Sequence, residues 1–165
     1  MTKVIIWGMG DGSVVITHPA PAMFDPESGT RIQLGLELAD DQAVLDFIMQ
    51  KDRPANAVSG RVVDRPGILN DRTFRDAWED TGAAIGVNMP KAREIFRNRL
   101  REARTSKLAE LDVAYIRADE IGDAATKATI AQQKQVLRDV TDDPAIEAAQ
   151  TPEALKAAWP DILKG

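Results

Sequence analysis

Between Lys91 and Val140 apolar residues recur at helical spacing: Ala92, Phe96, Leu100 and Ala103, then Leu108, Leu111, Tyr115, Ala118 and Ile121. The stretch has no proline, and its only glycine, Gly122, divides a longer half from a shorter one. After Gly122-Asp123 the stripe resumes with Ala128, Ile130, Ala131 and Leu137. Good helix formers fill most of the remaining positions, so propensity and pattern agree. The pattern predicts two antiparallel helices meeting at the Gly-Asp turn, each covering the other's narrow apolar face. Asn88 suits the N-cap and Pro90 the first turn of the longer helix. Counting back from the turn sets Asp139 opposite Arg104 or Arg101.

Upstream, the period changes. Lys3–Trp7 and Ser13–Thr17 are short apolar runs around Gly8-Met9-Gly10-Asp11-Gly12, which predicts a β-hairpin. The same glycines suggest a phosphate loop only superficially, because the Walker lysine and the full GxGxxG spacing are missing and a strand follows. His18-Pro19-Ala20-Pro21 ends that sheet. Pro26-Glu27-Ser28-Gly29 is turn chemistry, and alternating Ile32, Leu34, Leu36 and Leu38 predict a strand weakened by Gly35. Asp40 or Asp41 caps a helix carrying Val44, Leu45, Ile48 and Met49, which ends before Pro54. Val58–Val63 is a strand, and Asp64-Arg65-Pro66-Gly67 a turn. Thr73–Trp78 and Ala83–Val87 are expected to form a second hairpin around Glu79-Asp80-Thr81-Gly82.

Beyond the helical pair, Thr141-Asp142-Asp143-Pro144 stops the helix, and Ala145–Gln150 allows one or two helical turns. Thr151-Pro152 opens a last short helix, and Trp159-Pro160 closes it. Trp159, Ile162 and Leu163 are expected to fold back as an apolar plug. The fold class is α+β. Residues 1–88 form a small β-rich domain with one helix, and residues 89–165 a long antiparallel helical hairpin with a short C-terminal helix.

Composition narrows the chemistry. The 165 residues include 44% hydrophobic but only 5% aromatic ones, so the core is thin and aliphatic. The absence of cysteine excludes disulfides, thiolate zinc sites and cysteine nucleophiles. No apolar run reaches the roughly 20 residues of a membrane span, and Met1–Trp7 is too short for a signal peptide. A cytoplasmic protein is expected, at least where it is made. His18, the only histidine, stands beside no nucleophile motif. The pairs Asp40-Asp41 and Asp142-Asp143 sit where caps and turns favour aspartate. Asp139, Asp142 and Asp143 lack the glycine and glutamate of a calcium loop. The expectation is a non-enzymatic protein without cofactor or metal.

One charged feature stands out. Lys91–Lys107 holds seven basic residues against Glu94 and Glu102. Arg93, Arg97, Arg101 and Arg104 fall at i, i+4, i+8 and i+11, a single stripe that Arg138 extends across the hairpin, with Asp139 beside it. Such a stripe can hold an acidic protein or phosphates, and equally can be a face whose arginines pair with carboxylates of the packed helix. The net charge of −5 and the lack of interleaved aromatics weigh against nucleic acid.

The C-terminal half resembles the small tail-assembly chaperone and tail-fibre-assembly proteins of tailed phages and prophages. The matching segments are Arg97-Asn98-Arg99, Leu108-Ala109-Glu110-Leu111-Asp112, Gln135-Val136-Leu137-Arg138-Asp139 and Trp159-Pro160. The N-terminal half resembles, more loosely, prophage proteins carrying the segment found here as Thr73–Trp78. The likeness departs near the first Asp step, where the family often has tryptophan and this chain has Val113 and Tyr115. The resemblance implies a tail-associated protein that binds a co-encoded tail-fibre or tail-tip subunit as chaperone or adaptor, and the charge pattern offers Arg93, Arg97, Arg101, Arg104, Arg138 and Asp139 as the binding residues. The alternatives are a virion tail component that forms a homo-oligomer through the hairpin, and a nucleic-acid-binding or host-directed regulator using the stripe. The location implied is the host cytoplasm or the virion tail.

Overall fold

The computed structural model describes residues 3–19, 22–24, 31–33, 42–65 and 68–164. The protein is α+β, and its chain divides into two compact units, Met1–Asn88 and Met89–Gly165.

In the first unit the strands β1 (Lys3–Met9), β2 (Val14–Thr17) and β5 (Ala57–Asp64) form an antiparallel sheet in the order β2-β1-β5. The continuous apolar run of β1 follows from its central place, since a strand covered on both faces needs no polar alternation. Ile5 and Trp7 pack with Ile48 of α1 (Gln42–Lys51), while Ile6 packs with Trp78 and Ile85. Leu45 and Ile48 are the buried residues of α1, with Val44 half-buried. A Cβ on Gly60 would lie 2.6 Å from the Trp7 ring, so glycine lets that indole lie across β5. Its Nε1 donates to Thr17 Oγ1 at 2.9 Å. The loop between β1 and β2 turns at Gly12, whose φ of 77° is left-handed.

Strands β3 (Ala22–Phe24) and β4 (Arg31–Gln33) pair antiparallel. The expected strand over Ile32–Leu38 is thus observed around Ile32. Leu34, Leu36, Leu38, the Pro26–Gly29 turn, the Asp40/Asp41 cap and Pro66-Gly67 lie outside the described residues. The second expected hairpin begins later than the pattern suggested. Arg75–Ala77 is a 3-10 turn, and the paired strands are β6 (Trp78–Asp80) and β7 (Ile85–Val87). Local polar chemistry is the reason: Asp71 Oδ1 accepts from Thr73 N at 2.8 Å and from Thr73 Oγ1 at 2.6 Å, curling the chain. Phe74 and Ala77, three apart, are then buried together. Arg61 grips Asp80 through two bonds of 3.1 and 2.6 Å, joining β5 to β6 and holding the Asp80 carboxyl below the usual range.

The second unit is built on α2 (Met89–Glu120), a helix about 48 Å long at 1.5 Å per residue. It closes at Gly122, whose φ is 72°: Asp123 N–H donates to the Ala118 carbonyl at 2.8 Å and Gly122 N–H to that of Asp119 at 3.0 Å. Helix α3 (Ala124–Asp139) then returns along α2, capped by Asp123, which accepts from Thr126 N at 2.9 Å. A 3-10 turn at Val140–Asp142 leads to α4 (Pro144–Ala148) and α5 (Pro152–Ala157), capped by Asp143 and Thr151 with proline at the first helical positions.

The core of this unit is unevenly distributed. Ala92, Phe96 and Leu100 are buried in the first half of α2, where Trp159 meets Phe96 edge-on at 5.7 Å and Leu163 is also buried. Ile162 remains partly exposed, so the expected plug consists of Trp159 and Leu163. In the second half of α2 only Ala118 is fully buried, and α3 contributes Ile130 and, level with Arg104, Leu137. Ile121, expected in the seam, is 79% exposed at the turn, and Ala128 and Ala131 face solvent. A two-helix arm buries a narrower stripe than the sequence offers it.

Candidate functional site

The arginine stripe lies where α2 meets the elements that follow α3. Arg93, its side chain 13% exposed, donates from Nε to the Ile146 carbonyl at 3.1 Å and from Nη2 to the Ala149 carbonyl at 2.8 Å. Both acceptors belong to the end of α4. Arg97 donates to the Thr141 carbonyl at 3.3 Å and pairs through Nη2 with Glu147. Arg104 donates to the Leu137 and Arg138 carbonyls at 3.2 and 2.6 Å, the last turn of α3. Lys107 continues the series, reaching the Ile162 carbonyl at 2.6 Å. The last carbonyls of a helix lack internal partners and carry partial negative charge, so a cation from a neighbouring helix satisfies both needs. One helix face thus holds the end of α3 with the turn after it, the end of α4 and the Asp161–Leu163 turn. The bond from Arg97 holds the Glu147 carboxyl below the usual range, with the charges of Arg97 and Arg93 adding to it.

The remaining members of the stripe stand apart. Arg101 is 45% exposed and bonds along its own helix to Glu94 at 3.1 Å and Asn98 at 2.5 Å. Asp139, expected opposite Arg104 or Arg101, instead accepts from Gln135 Nε2 at 2.7 Å on its own helix. The correction has a simple cause. Arg104 reaches the backbone at the end of α3, an acceptor that side-chain counting cannot see. Arg138 is exposed, and its side chain has no partner among the described residues. The structure therefore brings Arg93, Arg97 and Arg104 into internal contacts and leaves Arg101, Arg138 and Asp139 at the surface.

Farther along α2 the polarity inverts. Tyr115 lies between Lys127 and Lys134 of α3, each ammonium 5.3 Å from the ring centroid, and those lysines pair with Asp119 and Asp112. The inner seam of the arm is thus partly ionic. On the outer side Ser106, Ala109, Val113 and Ile116, spaced three and four apart, form an uncharged strip between charged residues that include Glu102, Arg117 and Glu120; all four are exposed, Ile116 at 57%. Val113 and Ile116 sit roughly 200° and 140° round the helix from Leu111, on the side away from α3. A surface helix normally shows charge there. The spacing of this strip was visible in the sequence, but its period is also that of a buried stripe, and only the position of α3 tells the two sides apart.

Other candidates resolve locally. In the glycine loop the N–H groups of Met9, Gly10 and Gly12 donate to the carbonyls of Ser13, Asn56 and Met9, and that of Ser13 to Asp11 Oδ1. These amides are engaged within the chain, as a hairpin turn requires. His18 is exposed, and partial burial together with Arg65, Arg72 and Arg75 holds its imidazole below the ordinary range. Among the described residues no group of three or more His, Asp or Glu could hold a metal ion, and no helix is long and apolar enough to cross a membrane. Comparison with protein-family models, curated proteins and solved structures finds no match to this chain.

Proposed function

We propose that the second unit is a non-enzymatic docking module that holds another protein along the outer side of α2. The partner proposed is a co-encoded phage tail-fibre or tail-tip subunit, which the protein serves as assembly chaperone or adaptor. The observation that carries this reading is the uncharged strip Ser106, Ala109, Val113 and Ile116, exposed on a helix whose inner side is already covered. Contiguous apolar surface of this kind marks interaction sites. The tail-protein partner is taken from the sequence resemblance. Leu108 and Leu111 line the inner seam, Leu137 is buried in α3, and Trp159 packs on Phe96.

Val113→Ser together with Ile116→Ser should abolish co-purification with the co-encoded tail protein while the thermal midpoint stays within a few degrees. Retained co-purification would refute the placement of the surface. The spacing of the same four residues also suits a second copy of α2, which favours the tail-component reading. Stoichiometric presence in purified particles would select that reading over the chaperone.

A further inference from the structure

At the base of the hairpin, away from the outer strip of α2, the end of α3 and the C-terminal segment enclose an open groove of about 460 Å³. Its floor is aliphatic: Val136 is 52% exposed, Ile162 is partly exposed, and Val140 lies beneath them. Its lining also holds Asp139, Asp142, Asp143 and Asp161, all exposed, and no lysine or arginine. These carboxylates are not tied together by a bound ion's geometry, as no metal-holding group occurs among the described residues. They are engaged singly: Asp139 by Gln135, Asp143 by the Ala145 N–H at 2.8 Å and Asp161 by Lys164 at 2.5 Å. Asp142 has no partner among the described residues.

Of the α2 cations near this corner, Arg97 and Arg104 face the other way, onto the Thr141, Leu137 and Arg138 carbonyls, and Lys107 is held by the Ile162 carbonyl. Asp139, Asp142 and Asp143 therefore stand without an ion pair among the described residues beside an apolar floor, while Asp161 is paired with Lys164. We infer that this groove docks an extended segment of a partner protein in which one or two aliphatic side chains are flanked by lysine or arginine. The aliphatic side chains cover Val136 and Ile162. The flanking cations meet Asp139, Asp142 and Asp143, so complementarity of charge fixes the segment along the groove. A shallow, open site of this size suits a chain segment better than an enclosed small molecule, whose clefts bury most of the ligand. The inference does not depend on the tail-protein reading.

The test uses the full chain and a synthetic 12-residue amidated peptide with a Leu-Leu pair flanked on each side by two lysines. A second peptide, with glutamates replacing the lysines, is the control. In amide-resolved titrations the basic peptide should shift Val136, Asp142, Asp161 and Ile162, and the control should not bind. Asp142→Asn with Asp139→Asn should weaken binding about tenfold, as should raising salt well beyond physiological strength, where the screening length falls to a few ångströms. Val136→Ser should weaken it several-fold with both aspartates intact, a loss that general attraction to an acidic protein would not produce. Circular dichroism of each variant verifies the fold. Shifts scattered over other acidic surfaces, or affinity indifferent to Val136→Ser in a folded variant, would overturn the proposal.

Discussion

The two halves of α2 use charge and hydrophobicity in opposite ways. Near its start the arginines are the structural residues: Arg93, Arg97 and Arg104 satisfy carbonyls at the ends of α4, the Val140–Asp142 turn and α3. Near its end aliphatic residues face water, with Val113 and Ile116 on the outer side. The difference comes from what surrounds each half. Three short elements end against the first half, and every helix end brings carbonyls that need donors. Only α3 covers the second half, so one side has no neighbour. Side-chain type alone would assign the roles the other way round.

The largest expected contrast is in packing. Leu100→Ala, fully buried in the first half, should cost about 2–5 kcal/mol. Ile116→Ala in the second half should stay within about 0.5 kcal/mol, as for exposed positions generally. Urea unfolding followed by far-ultraviolet circular dichroism measures both, since α2 and α3 supply most of the helical signal. Similar costs would erase the distinction between the halves.

A smaller effect is expected at the turn. Gly122 adopts a left-handed φ with open space around its Cα, so Gly122→Ala should cost about 1–2 kcal/mol from backbone strain alone. Gly122→Asn should recover part of that loss, because asparagine tolerates this conformation. Failure of asparagine to do better than alanine would place the cost elsewhere.

The smallest effect is an acid-dependent one in the first half. Arg97 keeps the folded Glu147 carboxyl below its ordinary range, so on acidification the unfolded chain takes up this proton first. The link's contribution is complete above the ordinary glutamate range and fades as pH falls through the lowered folded value. A carboxyl-detected titration should show Glu147 protonating below an unperturbed glutamate, and Arg97→Met should return it to the ordinary range. An unchanged midpoint in that variant would show that Arg97 is not the cause.

Much of this architecture was legible in the pattern. The helical stripe, Gly122, Asp123 and the Thr151-Pro152 start located the hairpin and the last helix, because turn and cap chemistry is local. The β1–β2 hairpin followed for the same reason, and α1 from the spacing of Val44, Leu45, Ile48 and Met49. The start of β6 was misplaced, since Thr73–Trp78 looks strand-like until Asp71 is seen turning the chain. The site was less legible. Of the arginines grouped by their spacing, Arg93, Arg97 and Arg104 bond to backbone carbonyls 33 to 56 residues away, acceptors invisible to residue type, while Arg101 and Arg138 stand apart. Val113 and Ile116 carry a helical period that fits core and surface equally.

The central claim is that the arginine face of α2 is a set of internal clamps, and the equilibrium unfolding of Arg93→Ala beside Arg138→Ala tests it most directly. Arg93 holds two carbonyls while largely buried, so its loss should cost about 1.5–3 kcal/mol, the range for hydrogen bonds to a charged group. Arg138→Ala, at an exposed side chain without a partner among the described residues, should stay within about 0.5 kcal/mol. Equal and negligible losses at the two positions would return Arg93 to the solvated surface and contradict the account.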